Sequence, residues 1–133
     1  MVAINLTIGD NGIITRAYEA KYLTELITVL YEITGKYTVK ENVTRIGYHA
    51  FYYQDLMTGI ELPEGILAIS DDAFIGCSGI TEIYIPESIK AISTRAFAGT
   101  NNLNKIQINK EPGSITGSPW GAIKGDRIVE WLK

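Results

Sequence analysis

The chain has 133 residues, of which 46% are hydrophobic and 20% are charged, and its formal net charge is −3. This length favours a single domain, and the composition is that of a soluble, folded protein and not of a disordered segment. The small negative charge excludes the strongly basic surface of a nucleic-acid-binding protein. The single cysteine excludes an internal disulfide, and the longest apolar stretches fall short of the roughly 20 residues that a membrane-spanning helix needs.

The first 35 residues predict a strand followed by a helix, which together form a capping or docking element. The stretch "AINLTIGD" alternates between apolar and polar residues, and it ends at a turn made by Asp10, Asn11 and Gly12. The N-terminus lacks a basic segment followed by a long apolar run. We therefore expect synthesis in the cytoplasm without a cleaved signal.

Residues 15–34 predict an amphipathic helix that Gly35 ends. At 100° per residue, its apolar side chains form two adjacent stripes that cover roughly 200°, about twice the width that a surface helix buries. One stripe is the candidate partner-binding surface: Tyr18, Tyr22, Leu26, Val29 and Ile33. Of the two stripes, one would cap the first repeat. The remaining stripe would be covered either by the first strand and a tyrosine-rich loop (Tyr48, Tyr52, Tyr53), or by another chain, which is a second copy or a larger assembly.

Residues 36–109 contain a repeat of 23 residues. The pair Ala-Phe recurs at this step at positions 50–51, 73–74 and 96–97, and so does an isoleucine at positions 46, 69 and 92. Each unit predicts a strand, a turn, a short helical or 3₁₀ turn, and a second turn, and such units must stack to bury their apolar faces. The predicted parallel strands are Tyr37–Val39, Ile60–Leu62, Ile83–Ile85 and Ile106–Ile108, with a further rung at Val129–Trp131.

The outward residues of the stacked strands form a second candidate surface. They are Thr38, Glu61, Tyr84 and Gln107. The ladder is short and mixed in character, so a solvated face is the default interpretation and partner binding is the alternative.

No arrangement of residues predicts a catalytic, cofactor or metal site. The one histidine, His49, shares its repeat column with Asp72 and Arg95, and a column that accepts all three residue types is expected to face solvent. Asp71 and Asp72 lie in a turn, where they cap or are solvated. Cys77 is expected to be a small packed side chain.

Residues 110–133 predict an irregular cap. Prolines and glycines interrupt the segment "EPGSITGSPWGAIKGDRIVEWLK". Trp120 and Trp131 are large enough to close the open end of the apolar core, which is the preferred interpretation. The alternative is an exposed aromatic contact with a partner.

The repeat resembles the BspA-like class of leucine-rich repeats, whose pattern runs I-x-x-x-A-F-x-x-C-x-x-L-x-x-I-x-I-P-x-x-V-x-x-I. The unit "ISDDAFIGCSGITEIYIPESIKAI" matches this pattern with Cys77 included, whereas the neighbouring units have Gln54 and Thr100 in the cysteine column. The resemblance implies an α/β leucine-rich-repeat solenoid with a short parallel sheet. In this family the fold is a general scaffold for binding proteins and surfaces.

The segments "GSPWGA" and "IVEW" resemble the ends of leucine-rich-repeat proteins from tail regions of bacteriophages and prophages. This resemblance implies a non-enzymatic accessory component of a phage tail or tail-like particle, in the baseplate or tail-end region. Its partners would be other subunits of the assembly or itself, through the N-terminal helix. The alternative hypothesis is a bacterial leucine-rich-repeat binding module that recognises a host or cell-surface protein.

Overall fold

The repeats wind into a solenoid in which three successive rungs each carry a strand on one side and a shorter strand on a second side. The computed structural model describes residues 4–8, 13–22, 27–29 and 33–133. A 3₁₀ helix, Asp126–Ile128, precedes the last strand. The strands in chain order are β1 (Ile4–Ile8), β2 (Ile13–Tyr22), β3 (Ile27–Val29), β4 (Gly35–Thr38), β5 (Arg45–Ile46), β6 (Met57–Glu61), β7 (Ala68–Ile69), β8 (Glu82–Ile85), β9 (Ala91–Ile92), β10 (Lys105–Ile108) and β11 (Val129–Trp131).

The predicted parallel strands lie on the first side of the solenoid, which we call the strand face. β4 pairs with β6, and β8 pairs with β10, which pairs in turn with β11. Ile83 lies beside Ile106, and Ile106 lies beside Val129, so neighbouring rungs follow the 23-residue step. The predicted rungs are therefore confirmed, including the one at the C-terminal end.

The strand face is divided in its middle. Within residues 33–133, no backbone ladder joins β6 to β8, although each of them pairs with its other neighbour. The pairing of β4 with β6 shifts register between Gly35 and Lys36, which leaves Thr58 as an extra residue. Such a bulge bends a strand and increases its twist. We attribute the division of the strand face to this bulge.

A second side of the solenoid is built from two-residue strands. β5, β7 and β9 pair in parallel, with Ile46, Ile69 and Ile92 in register. All three isoleucine side chains are buried. The isoleucine column of the sequence is thus a column in space.

The segment between the two sides is a series of tight turns in place of a continuous helix. In the second repeat, the Ile75 N–H donates to Asp72 O at 3.2 Å and the Cys77 N–H donates to Phe74 O at 3.0 Å, as in a 3₁₀ turn. Asp72 and Gly76 have positive φ angles of 53° and 79°. Because a left-handed residue interrupts a right-handed helix, each turn ends before a helix can form. The turn alternative of the sequence prediction is confirmed, and the helical one is wrong.

Aromatic rings form the axis of the core. Phe74 lies between Phe51 and Phe97, with ring centroids 5.5 and 5.6 Å apart and planes within 9° of parallel. Trp120 is fully buried and meets Phe97 edge-on at 6.5 Å, and the partly buried Trp131 meets Trp120 at 6.0 Å. The three Ala-Phe pairs therefore stack as predicted, and Trp120 closes the core as a cap.

The cysteine column is buried in all three repeats, and each repeat satisfies its polar atom differently. Gln54 Oε1 accepts a hydrogen bond from the Ile33 N–H at 2.7 Å. The Cys77 thiol donates to Phe51 O at 3.0 Å, and the Thr100 hydroxyl donates to Phe97 O. In both departures from the family pattern, the buried side-chain oxygen therefore has a hydrogen-bond partner, as buried polar atoms usually do.

The predicted N-terminal helix is wrong. Residues 13–22 and 27–29 form β2 and β3, which pair in an antiparallel manner with each other, and β2 also pairs with β1. The predicted strand at the N-terminus is confirmed as β1. Ile13 and Ile14 continue the second side of the solenoid by pairing in parallel with β5. The segment is rich in isoleucine, threonine and tyrosine, which favour strands, and pairing with an open sheet edge outweighs its helical periodicity.

The candidate stripe of the helix is consequently dispersed. Tyr18 and Tyr22 lie in β2, Val29 lies in β3, and Leu26 lies outside the described residues, as does the predicted turn at residues 10–12. Ile33 is buried in the core of the first rung. The four described residues of the stripe do not lie on a helix, so they do not support docking through a helical surface.

Candidate functional site

The strand face presents a groove over the division between β6 and β8. Because side chains alternate along a strand, Glu61 and Tyr84 point outward while their neighbours Ile60 and Ile83 are buried. The groove has a volume of about 540 Å³. Its lining residues are Lys36, Thr58, Gly59, Ile60, Glu61, Leu62, Glu64, Thr81, Glu82, Ile83, Tyr84 and Gln107.

A second groove of about 490 Å³ adjoins the first and lengthens it toward β4. Glu61, Leu62 and Glu64 line both grooves. The second groove also includes Thr38 and Glu41. Together, the two grooves form one elongated depression that we call the strand-face groove.

The four residues predicted on the strand face are brought together there. The Thr38 hydroxyl donates to Glu61 Oε1 at 3.2 Å, and Gln107 Nε2 donates to Glu130 Oε1 at 2.9 Å. Tyr84 lies between these two pairs, and 40% of its surface is exposed. The predicted ladder therefore exists, and its centre is an exposed aromatic ring between two polar pairs.

The strand-face groove is acidic. Glu61, Glu64 and Glu82 line its larger part, and Glu41 lines the other, whereas Lys36 is the one cation among the lining residues. Carboxylates gathered in a cleft raise the local concentration of cations and cationic side chains. Charge and shape together favour an extended, positively charged segment of a partner.

Sequence reasoning missed Glu41 and Glu64 because neither lies in a strand. Glu64 belongs to the turn after β6, and the repeat places an acidic residue, Glu87, at the same position of the next unit. In a solenoid all turns that follow equivalent strands lie along one edge. That rule assigns both residues to the margin of the strand face.

The histidine column is only partly exposed. Asp72 lies between His49 and Arg95: its Oδ2 is 4.0 Å from His49 Nε2, and its Oδ1 is 2.9 Å from Arg95 Nη2. The Arg95 side chain is 59% exposed, but those of His49 and Asp72 are 27% and 14% exposed. The prediction of a solvent-facing column therefore holds for Arg95, while the other two form a half-buried ladder.

The single cysteine is buried and is not placed to act as a nucleophile. Burial raises the pKa of the Cys77 thiol to about 12, so the thiolate that a nucleophile requires is absent at neutral pH. In the part of the chain that the structure describes, no three His, Cys, Asp or Glu residues are grouped to hold a metal ion. Over the same residues, no helix is long and apolar enough to cross a membrane.

The comparisons with known proteins agree with the stacked repeats. A family model described as a BspA type leucine rich repeat region matches residues 32–119. The chain belongs to this family. No curated protein matches it.

One solved structure is similar to this BspA-type repeat protein. It is a leucine rich cell surface protein from Faecalibacterium prausnitzii A2-165, with 31% sequence identity and a TM-score of 0.54. The match covers 58% of this chain and 20% of the other, so the shared part is a small fraction of that larger protein. The comparison supports the solenoid of stacked parallel strands.

Proposed function

We propose that this chain is a non-enzymatic binding module of a bacterial cell-surface protein, and that it binds a basic, extended segment of a partner protein in the strand-face groove. The observation that carries the proposal is the groove itself: its larger part holds three carboxylates and the exposed ring of Tyr84, and its smaller part adds Glu41. Membership of a leucine-rich-repeat family supports protein interaction in general. The acidic lining of the groove is the reason for proposing a basic partner.

The two kinds of residue in the groove contribute differently. Exposed ion pairs contribute about 0.2–1 kcal/mol each and are weakened by salt, so the carboxylates mainly select a basic partner and speed its arrival. A tyrosine enclosed in an interface is a typical hot spot, worth about 2 kcal/mol or more. We therefore assign selectivity to Glu61, Glu64 and Glu82 and most of the affinity to Tyr84.

The comparisons favour the cell-surface hypothesis over the phage-tail hypothesis. The solved relative is described as a cell surface protein, and this description supports the same location here. The phage-tail hypothesis rests on the "GSPWGA" and "IVEW" segments. Under that hypothesis, the chain would bind the particle through the predicted N-terminal helix, but β2 and β3 lie in that segment.

The proposal is tested with three 15-residue peptides, of which one is lysine-rich, one is glutamate-rich and one is uncharged. Fluorescence anisotropy measures their affinity for the full chain. We expect the lysine-rich peptide to bind most tightly, and its affinity to fall with rising salt. The double variant Glu61→Gln/Glu82→Gln should weaken binding about fivefold, as expected for the loss of two exposed ion pairs of about 0.5 kcal/mol each.

The matched control is Glu111→Gln, because Glu111 is an exposed carboxylate in the C-terminal cap, outside the groove. It should leave the affinity within twofold. Equal affinity for the three peptides, or an equal loss in the control variant, would contradict the proposal.

A further inference from the structure

The turn segment of the first repeat carries an exposed group of aromatic rings, which we call the tyrosine cluster: Tyr48, His49, Tyr52 and Tyr53. The rings of Tyr48 and His49 stack at 3.8 Å with planes 17° apart. His49 then meets Tyr52 at 4.8 Å, and Tyr52 meets Tyr53 edge-on at 4.6 Å. Tyr48 is 60% exposed and Tyr53 is 57% exposed. The cluster thus presents flat rings to solvent, on a segment outside the strand-face groove.

The other repeats show that the solenoid does not need these rings. At the 23-residue step, the positions of Tyr48, Tyr52 and Tyr53 are taken by small, aliphatic or acidic residues that form the same turns. These residues are Asp71, Ile75 and Gly76 in the second repeat, and Thr94, Ala98 and Gly99 in the third. Stacking of the rungs therefore does not explain why the first repeat is aromatic.

Tyr53 has a backbone conformation that is unfavourable for a tyrosine. Its φ angle of 51° is left-handed, like those of Gly76 (79°) and Gly99 (77°), and this conformation is unfavourable for a residue with a Cβ. A Cβ on Gly76 would lie 2.5 Å from the Tyr53 ring, so the glycine leaves the space that the ring occupies. A strained residue that is held by its surroundings is typical of a functional position.

Charged side chains lie next to the tyrosine cluster, on the following rungs of the solenoid. Asp72 holds His49 and Arg95 on its two sides, and His49 in turn supports one face of the Tyr48 ring. Asp71 is exposed, lies one rung below Tyr48 in the same column, and accepts a hydrogen bond from the Arg95 N–H at 3.2 Å. One rung corresponds to about 4.7–4.9 Å. A carboxylate and a guanidinium thus lie within one or two rungs of the exposed rings.

The exposed area suits a small ligand better than a protein. An aromatic side chain has roughly 150–250 Å² of surface, so the exposed fractions of Tyr48 and Tyr53 leave about 200–300 Å² together. A standard protein interface buries about 800 Å² on each partner. A ligand that matches the cluster has one flat apolar face and a rim of hydroxyl groups.

We propose that the tyrosine cluster binds a carbohydrate. The C–H face of a sugar ring would pack on the exposed Tyr48 and Tyr53 rings, whose faces carry negative charge and attract polarised C–H bonds. Sugar hydroxyls would donate to the Asp71 carboxylate and accept from the Arg95 guanidinium. This site does not depend on the strand-face groove or on the proposed peptide ligand.

The test uses saturation-transfer NMR on the full chain with three soluble probes, namely cellohexaose, maltohexaose and chitohexaose. We expect saturation to pass from tyrosine ring protons to at least one of them. Tyr48→Ala and Tyr53→Gly should each lower the affinity at least fivefold. Tyr53→Gly keeps the backbone that Gly76 and Gly99 adopt, so its melting temperature should equal or exceed that of the wild type.

Tyr84→Ala is the control, because Tyr84 is another exposed tyrosine but lies in the strand-face groove. It should leave sugar binding within twofold. The proposal is overturned if none of the three probes receives saturation, if binding survives both cluster variants, or if Tyr84→Ala lowers it equally. Loss of basic-peptide binding in the cluster variants, without sugar binding, would instead make the cluster part of a protein interface.

Discussion

Replacing Phe74 by alanine removes the central ring of the aromatic core. The side chain is fully buried and lies between two parallel rings at 5.5 and 5.6 Å. Deletion of a buried phenylalanine side chain costs about 3–5 kcal/mol. Each lost ring pair adds about 0.5–1.5 kcal/mol beyond buried area, so we expect a loss near the upper end, about 4–5 kcal/mol. Because a small domain has only about 5–15 kcal/mol in total, this loss is a large share of its stability.

Urea denaturation followed by circular dichroism measures the effect as a change in the free energy of unfolding. Ile123→Ala is the control, because Ile123 is 68% exposed and its loss should change stability by less than about 0.5 kcal/mol. If Phe74→Ala does not fold, Phe74→Leu keeps most of the volume and should lose roughly 1–2 kcal/mol. A loss below about 1.5 kcal/mol for Phe74→Ala would refute the continuous aromatic core.

Three further predictions concern closely packed positions of the solenoid. Gly79→Ala should lower the free energy of unfolding by about 1–3 kcal/mol, because the added Cβ would lie 2.7 Å from two backbone carbonyl oxygens. Gly65→Ala is the control, because a Cβ there meets open space and should not lower stability. Equal melting temperatures of the two variants would contradict this prediction. Gln54→Ala should cost about 1–3 kcal/mol in urea denaturation, since the buried Ile33 N–H loses its acceptor; an unchanged midpoint would show that the bond is not needed. Cys77 should resist iodoacetamide until the protein unfolds. Burial raises the folded-state pKa of the Cys77 thiol to about 12. The stability that the buried neutral thiol contributes is therefore present below the unfolded-state pKa of roughly 8.5 and is lost as the pH rises toward 12. Rapid alkylation of the folded protein at pH 8 would contradict the burial.

The repeat could be predicted from the sequence because residues 23 positions apart occupy equivalent places in stacked units and are therefore of similar type. The columns of Phe51, Phe74 and Phe97 and the rung at Val129–Trp131 followed from counting alone. The N-terminal segment has no equivalent in the repeat, so only local periodicity was available there. Helical spacing of its apolar residues competed with the strand preference of its isoleucines, threonines and tyrosines, and pairing with β5 decided the outcome.

The site was harder to predict than the fold. The sequence identified the outward ladder of the strands, but the groove depends on the register shift at Lys36, which no motif marks. Tyr53 shows the opposite case. Its place in a glycine column could have been read from the sequence, since Gly76 and Gly99 occupy the equivalent positions. An exception to a repeat column is thus a signal for function that does not require the structure.

The central claim is that a basic partner covers the strand face. Hydrogen–deuterium exchange of the full chain, with and without the lysine-rich peptide, shows directly which amides the peptide covers. The account predicts slower exchange in residues 57–64 and 81–85, where the two halves of the strand face meet. Protection confined to the C-terminal cap, or to the turn segment at residues 47–53, would contradict it.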